Sequence, residues 1–181
     1  MKDNAKILKD GFAKGLMLIE NALVESLVDA AYKLLVQAET NKEYHNLTGN
    51  TLTSYMVGIY CDGALRRIVT MYDADMGMER PKRGKLYRGS GSGTVYVEDY
   101  DTGKFVNVKK YNLMDTDRDY GENTSRRFLV SYKAPKNKVC LVMCTGTEYS
   151  EFIESVKRLD VLTRTYQDAA GIIQNSWKKI E

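Results

Sequence analysis

Between Leu8 and Leu34 an apolar residue recurs at every third or fourth position: Leu8, Phe12, Leu16, Ile19, Leu23, Leu27, Ala30 and Leu34. Steps of three and four set all of them on one side of an α-helix. An unbroken helix over residues 4–37 measures about 50 Å at 1.5 Å per residue. A folded chain of 181 residues is only about 40 Å across, from a radius of gyration near 16 Å. Such a helix must therefore bend, with Gly11 and Gly15 as its weak points, or project and pack against something else. We take it to lie over the chain's own sheet, with extension into a neighbouring subunit as the alternative.

After the helix, "HNLTGNTLTSYMVGIYCDG" supplies Thr48 or Asn50 as a cap or turn former, a short turn of helix, and a strand over about residues 55–61. "ALRRIVTMYD" extends that strand or pairs with it. Near the C-terminal end, "KVCLVMCTG" alternates Val139, Leu141 and Met143 with Cys140, Val142 and Cys144. Both faces are apolar, so a central strand covered on both sides is expected. A Thr145-Gly146-Thr147 turn, a short helix to about residue 157 and a last helix follow. In the last helix Leu162, Tyr166, Ala169, Ala170, Ile173, Trp177 and Ile180 form a second stripe.

Residues 73–138 differ in texture, being polar and rich in Tyr, Asp, Lys and Gly. Within them Val95, Val97 and residues 105–108 flank Asp101-Thr102-Gly103-Lys104, a β-hairpin signal. The expected architecture is α+β in one domain, residues 1–181. Long N-terminal and C-terminal helices pack on a small, mostly antiparallel sheet, and residues 73–138 form an inserted hairpin arm with mobile flanks.

Length allows one proper core rather than two full domains. With 43% apolar residues, 28% charged residues and a net charge of +3, the composition is that of an ordinary soluble protein and does not announce a nucleic-acid binder. No stretch approaches a membrane span, and "MKDNAKILKDG" lacks the order of a signal peptide, so synthesis in a cytosol is expected. Cys61, Cys140 and Cys144 are odd in number and lack CxxC spacing, which suggests core thiols rather than a disulfide frame or a zinc ribbon. Cys140 and Cys144, about 13 Å apart along one strand, are too far separated for a bridge.

Several motifs tempt a chemical reading. "RGSGSGT", residues 88–94, lacks the Lys-Ser/Thr ending of a phosphate loop and runs into a strand instead of a helix, so a flexible hinge before the hairpin is preferred. Asp115, Asp117 and Asp119 copy the first ligands of a calcium loop, but Tyr120 holds the glycine's place and Arg126 the bidentate glutamate's. A solvated acidic loop is the expectation. Arg80, Lys82, Arg83, Lys85 and Arg88 could meet DNA phosphates or an acidic neighbouring subunit, with Glu98, Asp99 and Asp101 close by in the chain. Glu148, Glu151 and Glu154 fall on one side of the expected short helix, facing water or another subunit. A small hydrolase built on Glu148, Glu151 or His45 would need an activated nucleophile, and the sequence offers none. No catalytic, cofactor-binding or metal-binding residue is therefore expected.

The order of these parts resembles the tail-completion, head-tail joining (neck) proteins of long-tailed bacteriophages. In that family a "TGNL" type turn leads from the helix into the first strand. Here Thr48, Gly49, Asn50 and Leu52 stand in it, with Thr51 intruding. The family's Tyr-Ala-x-Tyr/Phe-Val-Glu segment, which follows a later strand, is represented by Tyr149, Ser150, Phe152, Ile153 and Glu154. The resemblance covers roughly residues 5–72 and 138–181 and leaves the middle unexplained. It implies a structural virion protein, without a reaction to catalyse, at the head-tail junction. Such a protein forms a cyclic homo-oligomer between portal or connector and tail proteins, around the DNA channel, with DNA contact left open. The competing reading is a DNA-binding accessory protein that uses the basic segment 80–88.

Overall fold

The computed structural model describes residues 2–42, 50–72, 86–88, 95–98, 103–107, 120–147 and 161–177. Their architecture is α+β: a long N-terminal helix α1 (Lys2–Asn41) and a C-terminal helix α4 (Val161–Trp177) with a small antiparallel sheet. A short helix α2 (Asn50–Ser54) leads through Tyr55 into β1 (Met56–Cys61), which turns back into β2 (Ala64–Thr70). Asp62 and Gly63 both have positive φ, 51° and 77°, as a two-residue type I′ hairpin requires. The third strand, β6 (Val139–Cys144), pairs antiparallel with the other side of β1, giving the order β2-β1-β6.

This order corrects one expectation. The central strand, buried along its whole length, is β1; β6 lies at the edge and is only partly buried. Val57 and Ile59 point into the main core with Leu27, Ala31 and Leu35 of α1. On the other side, Gly58 and Tyr60 meet helix α3 (Tyr120–Ser131), where the Tyr60 hydroxyl donates to the Leu129 carbonyl at 2.5 Å. Two helices thus cover opposite faces of one strand. Helix α3 is itself unexpected, because the sequence reads residues 115–126, which include its first half, as an acidic loop and all of it as part of the inserted arm 73–138. Gly121, Ser125 and Leu129 recur at steps of four and form its buried side.

The turn after β6 is a close-packed joint. A Cβ on Gly146 would collide with the Gly121 carbonyl oxygen, and one on Gly121 would lie 2.8 Å from the Ser54 Cβ. The Ser125 hydroxyl donates to the Ser54 carbonyl at 2.5 Å, and the Ser54 and Thr145 hydroxyls are bonded at 2.6 Å. Small residues bring α2, α3 and this turn together.

A second antiparallel sheet contains β3 (Leu86–Arg88), β4 (Val95–Glu98) and β5 (Phe105–Asn107), in the order β3-β4-β5. The β4–β5 pair falls where the hairpin signal lies, and Gly103 before β5 has a φ of 64°. Arg88 pairs with Val95 across β3 and β4, while residues 89–94, read from the sequence as a hinge, lie outside the described residues.

Candidate interaction surface

Helix α1 is unbroken over 40 residues, about 60 Å, so neither Gly11 nor Gly15 interrupts it. Its C-terminal half behaves as the stripe requires: Leu27, Val28, Ala31, Leu34, Leu35 and Ala38 are buried. Its N-terminal half does not lie on the sheet. From residue 4 to residue 19 every position except Gly15 is exposed. Ile7, Leu8, Phe12, Leu16, Leu18 and Ile19 each remain 63–70% accessible. At 100° per residue these six, with Gly11 and Gly15 between them, occupy one half of the helix circumference.

The crossover comes at Glu20, the first of two carboxylates that hold α1 to β2. Arg66 pairs with Glu20 at 2.5 Å and Arg67 with Glu25 at 3.2 Å. The β1–β2 register shifts at Ile59/Tyr60, leaving Arg66 as the extra residue on β2. Beyond that bulge the helix passes the edge of the sheet, and its apolar stripe continues without a surface beneath it.

Helix α4 packs antiparallel along the anchored half of α1. Polar bonds mark the seam: Lys33 donates to Ser176 at 3.3 Å, Gln37 to Asp168 at 3.2 Å and Asn41 to Thr165 at 3.3 Å. The buried positions of α4 are Val161, Thr165 and Ser176, while Tyr166 is 82% exposed. Of the expected apolar stripe Leu162 packs against the core and Ala169 and Ile173 are half-buried, while the fully buried contact uses Val161 and the hydroxyls of Thr165 and Ser176, which also bond back to their own helix carbonyls. Between α1, β6 and α4 lies an open apolar groove of about 290 Å³. Leu34, Leu141 and Met143 line one side of it, and Leu162, Ala169 and Ile173 the other.

The thiols lie away from the groove chemistry. Burial pushes Cys144 up to about 11, against a smaller opposing effect of its contact with Ser125, and burial also raises Cys61. Both stay protonated near neutral pH, so neither is an activated nucleophile. Burial, reinforced by Cys144, Cys140 and Tyr132, carries the Tyr60 hydroxyl up to about 12. Among the described residues no three His, Cys, Asp or Glu side chains are grouped as a metal ion would need. Among them, too, no helix is long and apolar enough to cross a membrane.

Of the candidate residues, Asn50 begins α2 and Leu52 is buried in the main core. Arg88 ends β3, which pairs through it with Val95. Thr48, Gly49, His45, Arg80, Lys82, Arg83 and Lys85 lie outside the described residues, as do Glu148, Tyr149, Glu151, Phe152, Ile153 and Glu154. The projecting half of α1 was legible as an alternative from its length; the groove was not legible. No family model, curated protein or solved structure matches the chain.

Proposed function

We propose that this protein is a structural virion component of a tailed bacteriophage, a ring-forming head-tail connector or tail-completion (neck) protein. The observation that carries the reading is the projecting half of α1. A row of large apolar side chains held in water on a rigid helix is costly for an isolated chain and marks a surface that another protein covers. A component whose work is assembly needs such a surface. The order of helix, turn, strand and terminal helix that resembles the neck proteins supplies the particular class. The role is structural, the partners are further copies of the chain with portal or connector and tail proteins, and the location is the head-tail junction after synthesis in the host bacterium.

The test is made on virions. Mass spectrometry of purified particles should find the chain in a small, fixed copy number, and electron microscopy should place it at the junction. Its absence from mature particles would overturn the reading.

A further inference from the structure

We propose that the C-terminal half of α3 and the segment after it, residues 127–138, form a binding surface for single-stranded nucleic acid. Phe128 and Tyr132 take the bases, and Arg127, Lys133, Lys136 and Lys138 take the phosphates. The inference does not depend on the connector reading.

Charge leads to it first. The chain as a whole nearly balances, with 27 basic and 24 acidic residues. Residues 123–147 break that balance, holding Arg126, Arg127, Lys133, Lys136 and Lys138 and no acidic residue. All five cations are exposed. Arg126 is engaged by Glu122 at 3.7 Å, whereas the other four form no ion pair among the described residues. No basic residue lies in the last turn of α3, so attraction of cations to the end of the helix dipole does not account for the run. The partner that suits such a surface is negative and extended, as a phosphate backbone is.

The aromatic residues then narrow the class. Phe128 and Tyr132, one helical turn apart, remain 45% and 38% accessible, with ring centroids 5.7 Å from each other. Tyr132 meets Tyr60 edge-on at 5.6 Å, and Tyr60 is itself fixed by its bond to the Leu129 carbonyl. The exposed rings therefore stand on a support in the sheet. Aromatic rings beside cations are what the bases of a single strand stack on, whereas a duplex keeps its base faces stacked on one another. An acidic peptide would answer the cations and leave the two rings without a use.

The backbone, finally, holds the cations in place. The Asn137 amide donates to the Asp62 carboxylate at 2.9 Å, and the Asp62 amide donates to the Lys138 carbonyl at 3.0 Å. At Gly63 a Cβ would lie 3.3 Å from the Ala134 carbonyl oxygen and 3.4 Å from the Lys136 side chain, so the β1–β2 turn presses closely on this segment. Residues 134–138 are thus fastened beside the end of α3, which lowers the ordering cost of binding. Asp62 brings one negative charge to the edge of the surface, and the four cations outweigh it.

Fluorescence anisotropy of a labelled oligothymidylate of about 15 nucleotides, titrated with the full chain, tests this. Four phosphate contacts predict a slope of log K against log salt of about −3. Phe128→Ala should weaken binding roughly tenfold, and Phe128→Leu nearly as much, because leucine restores apolar area but no ring face. Lys136→Ala, at an exposed position that leaves folding unchanged, should weaken binding and reduce the slope by about 0.7. A duplex of the same length should bind more weakly than the single strand. Absence of salt-dependent binding overturns the inference. Binding that Phe128→Ala and Lys136→Ala leave at the wild-type level also overturns it, because the contact then lies elsewhere, as on the basic segment 80–88. So does a duplex bound as tightly as the single strand, or displacement by polyglutamate as effective as by unlabelled oligothymidylate, the latter marking an acidic protein as the partner.

Discussion

The two halves of α1 carry the same apolar repeat and meet opposite fates. Over residues 27–38 the stripe is buried under the sheet and α4; over residues 4–19 it stands in water. Hydrophobic periodicity therefore specifies which face of a helix seeks contact, and the extent of the neighbouring layers decides how much of that face finds it within the chain. Here the sheet is only three strands wide and ends near Glu20, where Arg66 fastens the helix.

Substitutions at matched positions sharpen this contrast. Leu35→Ala, in the fully buried half, should cost about 2–5 kcal/mol of folding stability in denaturant titration. A cost near zero would mean that the anchored half is not part of the core. On the opposite face of the same sheet, Tyr60→Phe removes the bond to Leu129 and should cost about 1–3 kcal/mol.

Tyr60 also gives the fold an alkaline limit. In the unfolded chain Tyr60 and Cys144 lose their protons near 10.0 and 9.0, whereas in the fold they keep them to about 12 and about 11. Their contribution is therefore complete below about pH 9 and lost as pH rises towards 12, on the order of 2 kcal/mol for Tyr60. Denaturation midpoints measured across that window should fall for wild type and fall less for Tyr60→Phe.

Smaller effects are expected in the projecting half. Gly15→Ala meets no neighbour within 4 Å and should stabilise the helix by about 0.5–1 kcal/mol, read as a higher melting temperature in dilute solution. Leu16→Ala should change monomer stability by less than about 0.5 kcal/mol. A loss comparable with that of Leu35→Ala would show that residues 4–19 already pack within the chain.

Periodicity made α1, both hairpin strands around Gly103 and the extent of β6 legible before any coordinates. Which strand is central was not legible, because the apolar runs of β1 and β6 look alike and strand order depends on pairing between distant segments. A sharper reading of Asp62-Gly63 would have paired β2 with β1, leaving β1 one free side for β6. Helix α3 was hidden by its polar letters; of its buried positions, Gly121, Ser125 and Leu129 at steps of four, only Leu129 registers as apolar, and one residue makes no stripe. In α4, Thr165 and Ser176 make the buried contact that hydropathy assigned to Tyr166. The groove combines side chains from α1, β6 and α4, so no local pattern could contain it.

Hydrogen exchange of the full chain, measured at low and high protein concentration, tests the central claim most directly, because it reads both halves of α1 in one experiment. Amides over residues 27–38 should exchange slowly at both concentrations, held by the core. Those over residues 4–19 should exchange quickly when dilute, as a projecting helix does, and become protected as copies associate. Equal protection of residues 4–19 at both concentrations would contradict the account.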